Sequence, residues 1–131
     1  MSLTVTNDMV QRAREGALSH EEFIRCVAQS LPRAFQLVER LVSELRAQPE
    51  QTHAVHAPVQ MEDEQRGQLL RLIASSAMRH AIEQHYGLRF EFQNCHKLAA
   101  FRADAVGTPE HRAFVSAEAQ ILAQSPELVD C

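Results

Sequence analysis

The chain has 131 residues and a mass of 14.8 kDa, which is the size of one ordinary domain. Hydrophobic residues make up 45% of it and charged residues 23%, a balance that excludes wholesale disorder and a fibrous repeat. The net charge of −4 opposes non-specific attraction to nucleic acid or anionic lipid. The sequence shows neither an apolar run of roughly 20 residues nor a secretory signal, so we expect a cytoplasmic protein with no membrane partner.

The basic residues are strongly biased towards arginine. Twelve of the 13 are Arg, and only Lys97 is a lysine, while the chain holds 18 Ala and two Asn. GC-rich codons specify Arg and Ala, whereas AT-rich codons specify Lys and Asn, so this bias is typical of a GC-rich genome and favours a bacterial source. An isolated Arg is therefore weak support for an anion site, although Arg can bind phosphate by a forked contact that Lys cannot make.

Two helices are predicted at the start of the chain. Asn7 or Asp8 can cap a short first helix, which should end near Gly16. Ser19 and Glu22 have the spacing of a capping box, in which each side chain binds the backbone amide of the other residue. This box predicts that a second helix begins directly after Ser19.

Pro32 interrupts the apolar pattern of the second helix. Proline is accepted in the first turn of a helix but clashes inside one, so the sequence predicts a third helix over residues 32–47. A single kinked helix over residues 20–47 is the alternative. Residues 48–61 contain two prolines and no sustained period, and we expect them to form an exposed connector within a single domain.

The strongest helix pattern covers residues 62–86, which start with acidic side chains and end before Gly87, a residue typical of a C-cap. After Gly87 the pattern alternates as in a half-buried strand, with apolar residues at Leu88, Phe90 and Phe92. Asn94 offers a turn, and residues 95–102 can return as a second strand. The sequence thus predicts an antiparallel β-hairpin over about residues 88–102.

Thr108 and Pro109 predict the start of a last helix. Its expected buried stripe consists of Phe114, Val115, Ala117, Ile121 and Leu122. We expect the tail, residues 125–131, to be loose. The predicted fold is a mainly α single domain over residues 1–131, with four or five helices in a compact bundle and the small antiparallel hairpin between the last two helices.

The densest group of reactive side chains lies at the predicted hairpin turn, and we take Arg89, Asn94, Cys95, His96 and Lys97 as a tentative functional surface. A nucleophilic cysteine needs a base or a positive field beside it, and His96 follows Cys95 directly. Adjacent residues on a strand point to opposite faces, however, so we predict no catalytic residue here. A thiol-dependent or metal-dependent site around Cys95 and His96 is an alternative.

The sequence predicts no metal site and no cofactor. His53 and His56 have no cysteine at ligand spacing, and His80 and His85 are turned about 140 degrees apart on a helix, too far to bind one ion. The four glycines are isolated from one another, so no phosphate-binding loop is present. The three cysteines are widely spaced, which argues against a disulfide framework.

The function we expect is that of a non-enzymatic accessory or regulatory protein, which binds another protein or itself as a homodimer. Amphipathic helices and a ribbon with a free edge support this expectation. The alternative is a winged-helix-like nucleic-acid-binding regulator, because Arg89, Lys97 and Arg102 lie on the predicted ribbon. The acidic start and the length of the preceding helix argue against nucleic acid as a partner.

Overall fold

The computed structural model describes residues 3–57, 61–94 and 97–122. These residues form a mainly helical protein with a small antiparallel sheet, in agreement with the predicted class. The helices are α1 (Asn7–Arg14), α2 (His20–Ser30), α3 (Pro32–Arg46), α4 (Asp63–Ala74), α5 (Ser76–Tyr86), α6 (Pro109–Phe114) and α7 (Ala117–Leu122), with a 3-10 turn at Ala103–Ala105. The strands are β1 (His53–His56), β2 (Leu88–Gln93) and β3 (Lys97–Arg102).

The described residues therefore contain seven α-helices and three strands, where the sequence predicted four or five helices and a hairpin. The first helix also has a different cap from the one expected. Thr6, rather than Asn7 or Asp8, has extended backbone angles, and its hydroxyl accepts a hydrogen bond from the Met9 amide at 3.2 Å. Asn7 and Asp8 lie inside the first turn of α1 instead.

The capping box at the start of α2 is confirmed. The Ser19 hydroxyl accepts from the Glu22 amide at 3.1 Å, and the Glu22 carboxylate accepts from the Ser19 amide at 3.2 Å. Two of the amides left unpaired at a helix start are thereby satisfied. The local sequence is enough to fix where α2 begins.

The start of α3 depends on α4. Leu31 separates α2 from α3, as the two-helix prediction required, but it makes no side-chain cap. The Gln68 carbonyl oxygen accepts from the amides of Arg33 at 2.8 Å and Ala34 at 3.3 Å. Gln68 is only 5% exposed, and the Arg33 guanidinium also pairs with Glu64 at 3.6 Å. A buried amide from α4 thus caps α3.

The predicted connector, residues 48–61, contains the strand β1. β1 pairs antiparallel with β3, from His53 opposite Phe101 to His56 opposite Leu98. A four-residue strand is too short to show a period in the sequence, and its partner is more than 40 residues away. The sheet has the order β1-β3-β2, and β3 is its central strand.

Arg102, at the end of β3, holds the connector against α3. Its Nη2 atom donates to the carbonyls of Leu45 at 2.9 Å and Gln48 at 3.2 Å, and its Nε atom donates to the Gln51 carbonyl at 2.7 Å. The bond to Leu45 lies at the carboxyl end of α3, where a positive charge is favourable, and the other two bonds hold the connector that follows this helix. Arg102 is therefore a structural residue in this fold.

Helices cover the sheet on both faces. On one face, Leu98 and Ala100 of β3 enter the main hydrophobic core, which is built with α2, α3, α4 and α5. On the other face, Ala99 and Phe101 form a smaller core together with the partly buried Phe114 of α6. Both faces of β3 are therefore removed from water, as the run of small and apolar residues in this strand requires.

The predicted single helix over residues 62–86 is broken at Ser75, which has extended backbone angles. Its hydroxyl accepts from the Met78 amide at 3.2 Å and so caps α5. Serine competes in this way with the helix backbone, and the apolar period gives no sign of it. The end of α5 is as predicted, because Gly87 has a φ of 67° in the left-handed region.

The predicted last helix is also divided in two, into α6 and α7. The Ser116 hydroxyl donates to the Ala113 carbonyl at 2.8 Å and accepts from the Ala119 amide at 3.1 Å, which ends one helix and caps the next. Phe114 of the expected stripe is partly buried, but the rest of the stripe faces solvent: Ala117 is exposed, and Val115 is 49%, Ile121 70% and Leu122 80% exposed. The predicted loose tail, residues 125–131, lies outside the described residues.

The buried cap supplied by Gln68 gives a stability prediction. Gln68→Leu keeps an apolar contact but leaves the amides of Arg33 and Ala34 without their acceptor, so we expect the free energy of unfolding to fall by about 1–3 kcal/mol in urea denaturation. The control Gln36→Leu, at an exposed site of α3, should change it by less than about 0.5 kcal/mol. Equal losses in the two variants would contradict the capping role.

A second prediction concerns pH. Burial lowers the pKa of His56, Arg40 lowers it further, and Glu44 opposes the shift. Because unfolded His56 binds a proton more readily than folded His56, its contribution to stability is complete above about pH 6.5 and is lost as the pH falls through the folded pKa. We expect His56→Gln to lose less stability than the native chain between about pH 7.5 and pH 5 in urea denaturation. Identical losses would show that His56 carries no linkage.

Candidate functional site

The tentative surface at the hairpin turn is only partly described, since Cys95 and His96 lie outside the described residues. Asn94 occupies the turn with a φ of 52°, a conformation that asparagine tolerates better than most residues. Its side-chain amide donates to the Gln120 carbonyl at 3.4 Å, and the Gln120 side chain donates back to Asn94. Asn94 therefore ties the turn to α7.

The basic residues of the ribbon do not form one surface. Arg89 lies 3.5 Å from both Glu83 and Glu91, so two carboxylates neutralise it. Lys97 lies opposite Gln93 on the same face of the sheet as Arg89. The period of two places Arg102 on the other face, where three backbone carbonyls bind it. This arrangement offers no groove-facing basic ribbon of the kind that the winged-helix alternative needs.

A partly buried Glu91–His111 pair lies behind the ribbon, and the sequence did not predict it. The His111 Nδ1 atom accepts from the Gly107 amide at 3.1 Å, so the Nε2 atom carries the proton and donates to Glu91 at 3.1 Å. The edge of the ring also packs on Phe101, with centroids 4.9 Å apart. Both ring nitrogens are therefore occupied, which suits a clamp that holds α6 on the sheet better than a proton acceptor or metal ligand.

A cleft of about 460 Å³ adjoins this pair, between β2 and the α6–α7 turn. Glu91, Gln93, Phe114 and Gln120 are among its lining residues. The Gln93 side chain donates to the Phe114 carbonyl at 2.8 Å across it. The polar side chains that line the cleft are thus already bound within the chain, with Gln93 bound to Phe114, Glu91 to His111 and Gln120 to Asn94.

An apolar groove of about 380 Å³ lies between α2 and the N-terminal segment that carries α1. Its apolar side chains include Leu3, Val5, Val10, Leu18 and Phe23. No residue of α1 is buried, although the helix is amphipathic. The groove is thus an apolar surface that the described residues leave open.

The two arginines of α1 near this groove differ in whether an ion pair neutralises their charge. Arg12 is neutralised by Asp8 and by Glu22, which lies 3.1 Å away. Arg14 lines the groove and is its one charged residue, and it makes no ion pair with any part of the chain that the structure describes. The groove therefore presents an apolar floor with a positive edge.

Cys26 lies at the bottom of the groove as a buried, free thiol. Its sulfur donates to the Thr4 carbonyl at 3.4 Å and lies 3.9 Å from the Ser30 hydroxyl.

Within the ranges described above, no three side chains of His, Cys, Asp or Glu converge as a metal site would require. His85 faces His20, with ring centroids 5.7 Å apart.

The described part of the chain defines a class: a mainly helical protein whose three-stranded antiparallel sheet is covered by helices on both faces. None of its described helices is long and apolar enough to span a membrane. The chain belongs to the family described as "NucS shadow ORF", whose model matches residues 1–131. No curated protein and no solved structure matches the chain. The family description states no activity.

The Glu91–His111 clamp predicts a specific loss of stability. His111→Ala leaves the Glu91 carboxylate and the Gly107 amide without their partner, so we expect the free energy of unfolding to fall by about 1–3 kcal/mol and trypsin to cleave the α6 region faster. Glu110→Gln, at an exposed site of the same helix that leaves the trypsin site at Arg112 in place, is the matched control and should behave like the native chain. A His111→Ala protein as stable as this control would exclude the clamp.

Proposed function

We propose that the protein is a non-enzymatic, cytoplasmic accessory or regulatory protein that binds a protein partner in the groove between α1 and α2. The observation that carries this proposal is the open groove itself, which is concave and lined mainly by apolar side chains, as binding sites usually are. Both ring nitrogens of His111 are engaged, and so is the Cys26 thiol, which supports a binding role over catalysis.

The occupant we propose is an amphipathic helix with an acidic residue beside its apolar face. Grooves between helices bind such segments through apolar anchors one turn apart. Arg14 supplies a positive charge at the edge of this groove and makes no ion pair with the described residues. An acidic residue on the partner would complement it. A small molecule fits less well, because such sites place several convergent polar groups among the apolar ones.

The proposal predicts a charge preference that can be measured with synthetic peptides. Two fluorescent amphipathic helices of about 15 residues would share one apolar face and carry Glu or Lys beside it. We expect the Glu peptide to bind the native chain roughly tenfold more tightly than the Lys peptide, and Arg14→Glu to reverse the order. Fluorescence anisotropy gives both dissociation constants.

Two further variants separate the groove from the rest of the surface. Val10→Asp places a charge in the groove and should abolish binding of either peptide. Val106→Asp alters a valine that is 38% exposed in the turn before α6, outside the groove, and should leave binding unchanged. Equal binding of the Glu and Lys peptides to the native chain, or full binding by Val10→Asp, would refute the proposed function.

A further inference from the structure

The phase of the backbone hydrogen bonds shows which groups of β1 point away from the sheet. The Arg102 amide donates to the Thr52 carbonyl at 2.9 Å, so these two residues form a hydrogen-bonded pair. Such pairs alternate along an antiparallel ladder. Ala54 therefore bonds to β3, whereas His53 and Val55 turn their N–H and C=O groups to the outer edge.

The two edges of the sheet differ in whether their outward backbone groups have hydrogen-bond partners. On the β2 edge, the outward N–H of Phe90 donates to the Glu83 carboxylate at 2.9 Å, so a side chain closes that edge. On the β1 edge, the outward groups of His53 and Val55 make no hydrogen bond within the described ranges. Sheet edges with free backbone groups bind further strands unless they are guarded.

We propose that a second copy of this chain pairs with the β1 edge about a two-fold axis, to form one antiparallel six-stranded sheet. A register centred on Ala54 places His53 of each copy opposite Val55 of the other. All four residues then offer outward backbone groups to one another, so this register forms four backbone hydrogen bonds. A two-fold contact needs a surface that complements itself, and this strand meets that need.

The side chains of the edge agree with pairing between copies. Residues 51–57 contain no Lys, Arg, Asp or Glu, so two copies bring no like charges together along the strand. Val55 is 41% exposed beside the His53 ring, which stacks on Phe101 with centroids 4.9 Å apart. In the two-fold register, each Val55 packs against the His53 of the other copy and loses that exposure.

This inference stands apart from the groove, because no residue that lines the groove belongs to β1 or to α3. Each copy in the pair keeps its own groove. The assembled protein therefore has two equivalent partner sites, and a partner with two helices binds it more tightly than a partner with one.

The test measures the mass of the full-length chain under reducing conditions by analytical ultracentrifugation. We expect the native chain to form a dimer at tens of micromolar. Val55→Pro removes one outward N–H from each copy and no bond to β3, so we expect the dimer dissociation constant to rise at least tenfold. Val55→Lys guards the edge without altering the backbone and should have the same effect, which keeps the test decisive if the proline variant fails to fold.

Two controls identify the edge as the contact. Val106→Lys changes a similarly exposed valine in the turn before α6 and should leave the dimer intact. In amide exchange, the N–H groups of His53 and Val55 should gain protection as the native protein becomes more concentrated. A native chain that is monomeric at tens of micromolar, or a dimer that Val55→Pro and Val55→Lys leave unchanged, would overturn this inference. Peptide binding in the groove would be untouched by either result.

Discussion

The fold depends on the burial of β3, whose two edges and two faces are covered by other parts of the chain. Its two edges bond to β1 and β2, and its two faces lie in separate cores. Leu98, Ala99, Ala100 and Phe101 have no exposed surface. Because a buried peptide group without a hydrogen bond is costly, β3 requires a strand on each side and helices above and below. The arrangement of α6 over the second face follows from that requirement.

The parts of the fold that the sequence predicted correctly depend on residues that lie close together in the chain. The capping box at Ser19 and Glu22, the C-cap at Gly87 and the change of period after it all act over a few positions. The errors have two different causes. β1 exists because of a partner some 45 residues later, and Ser75 and Ser116 end helices by hydrogen bonds that leave the apolar period intact.

The candidate site also contains some features that the sequence predicted and others that it could not show. The sequence predicted a short first helix, but it could not show that the apolar side of this helix stays open, since that depends on how α1 lies on α2. The sequence also suggested a functional surface on the ribbon that includes Arg89, whose charge is neutralised by carboxylates. Glu91 and His111 are 20 positions apart, and only the sheet and α6 bring them together. Function in this chain therefore depends on surfaces rather than on a motif.

The caps of α3 have a consequence for the order in which the chain acquires its structure. Gln68 closes the amino end of this helix from 35 residues further on, and Arg102 binds its carboxyl end across 57 residues. During synthesis, the cap from Gln68 can form only after the chain has grown past residue 68, and the contact with Arg102 only after it has grown past residue 102. The residues of α3, at the centre of the main core, are thus synthesised early, but the contacts at the two ends of this helix form late. The strand β1 depends on the same late segment, because it pairs with β3.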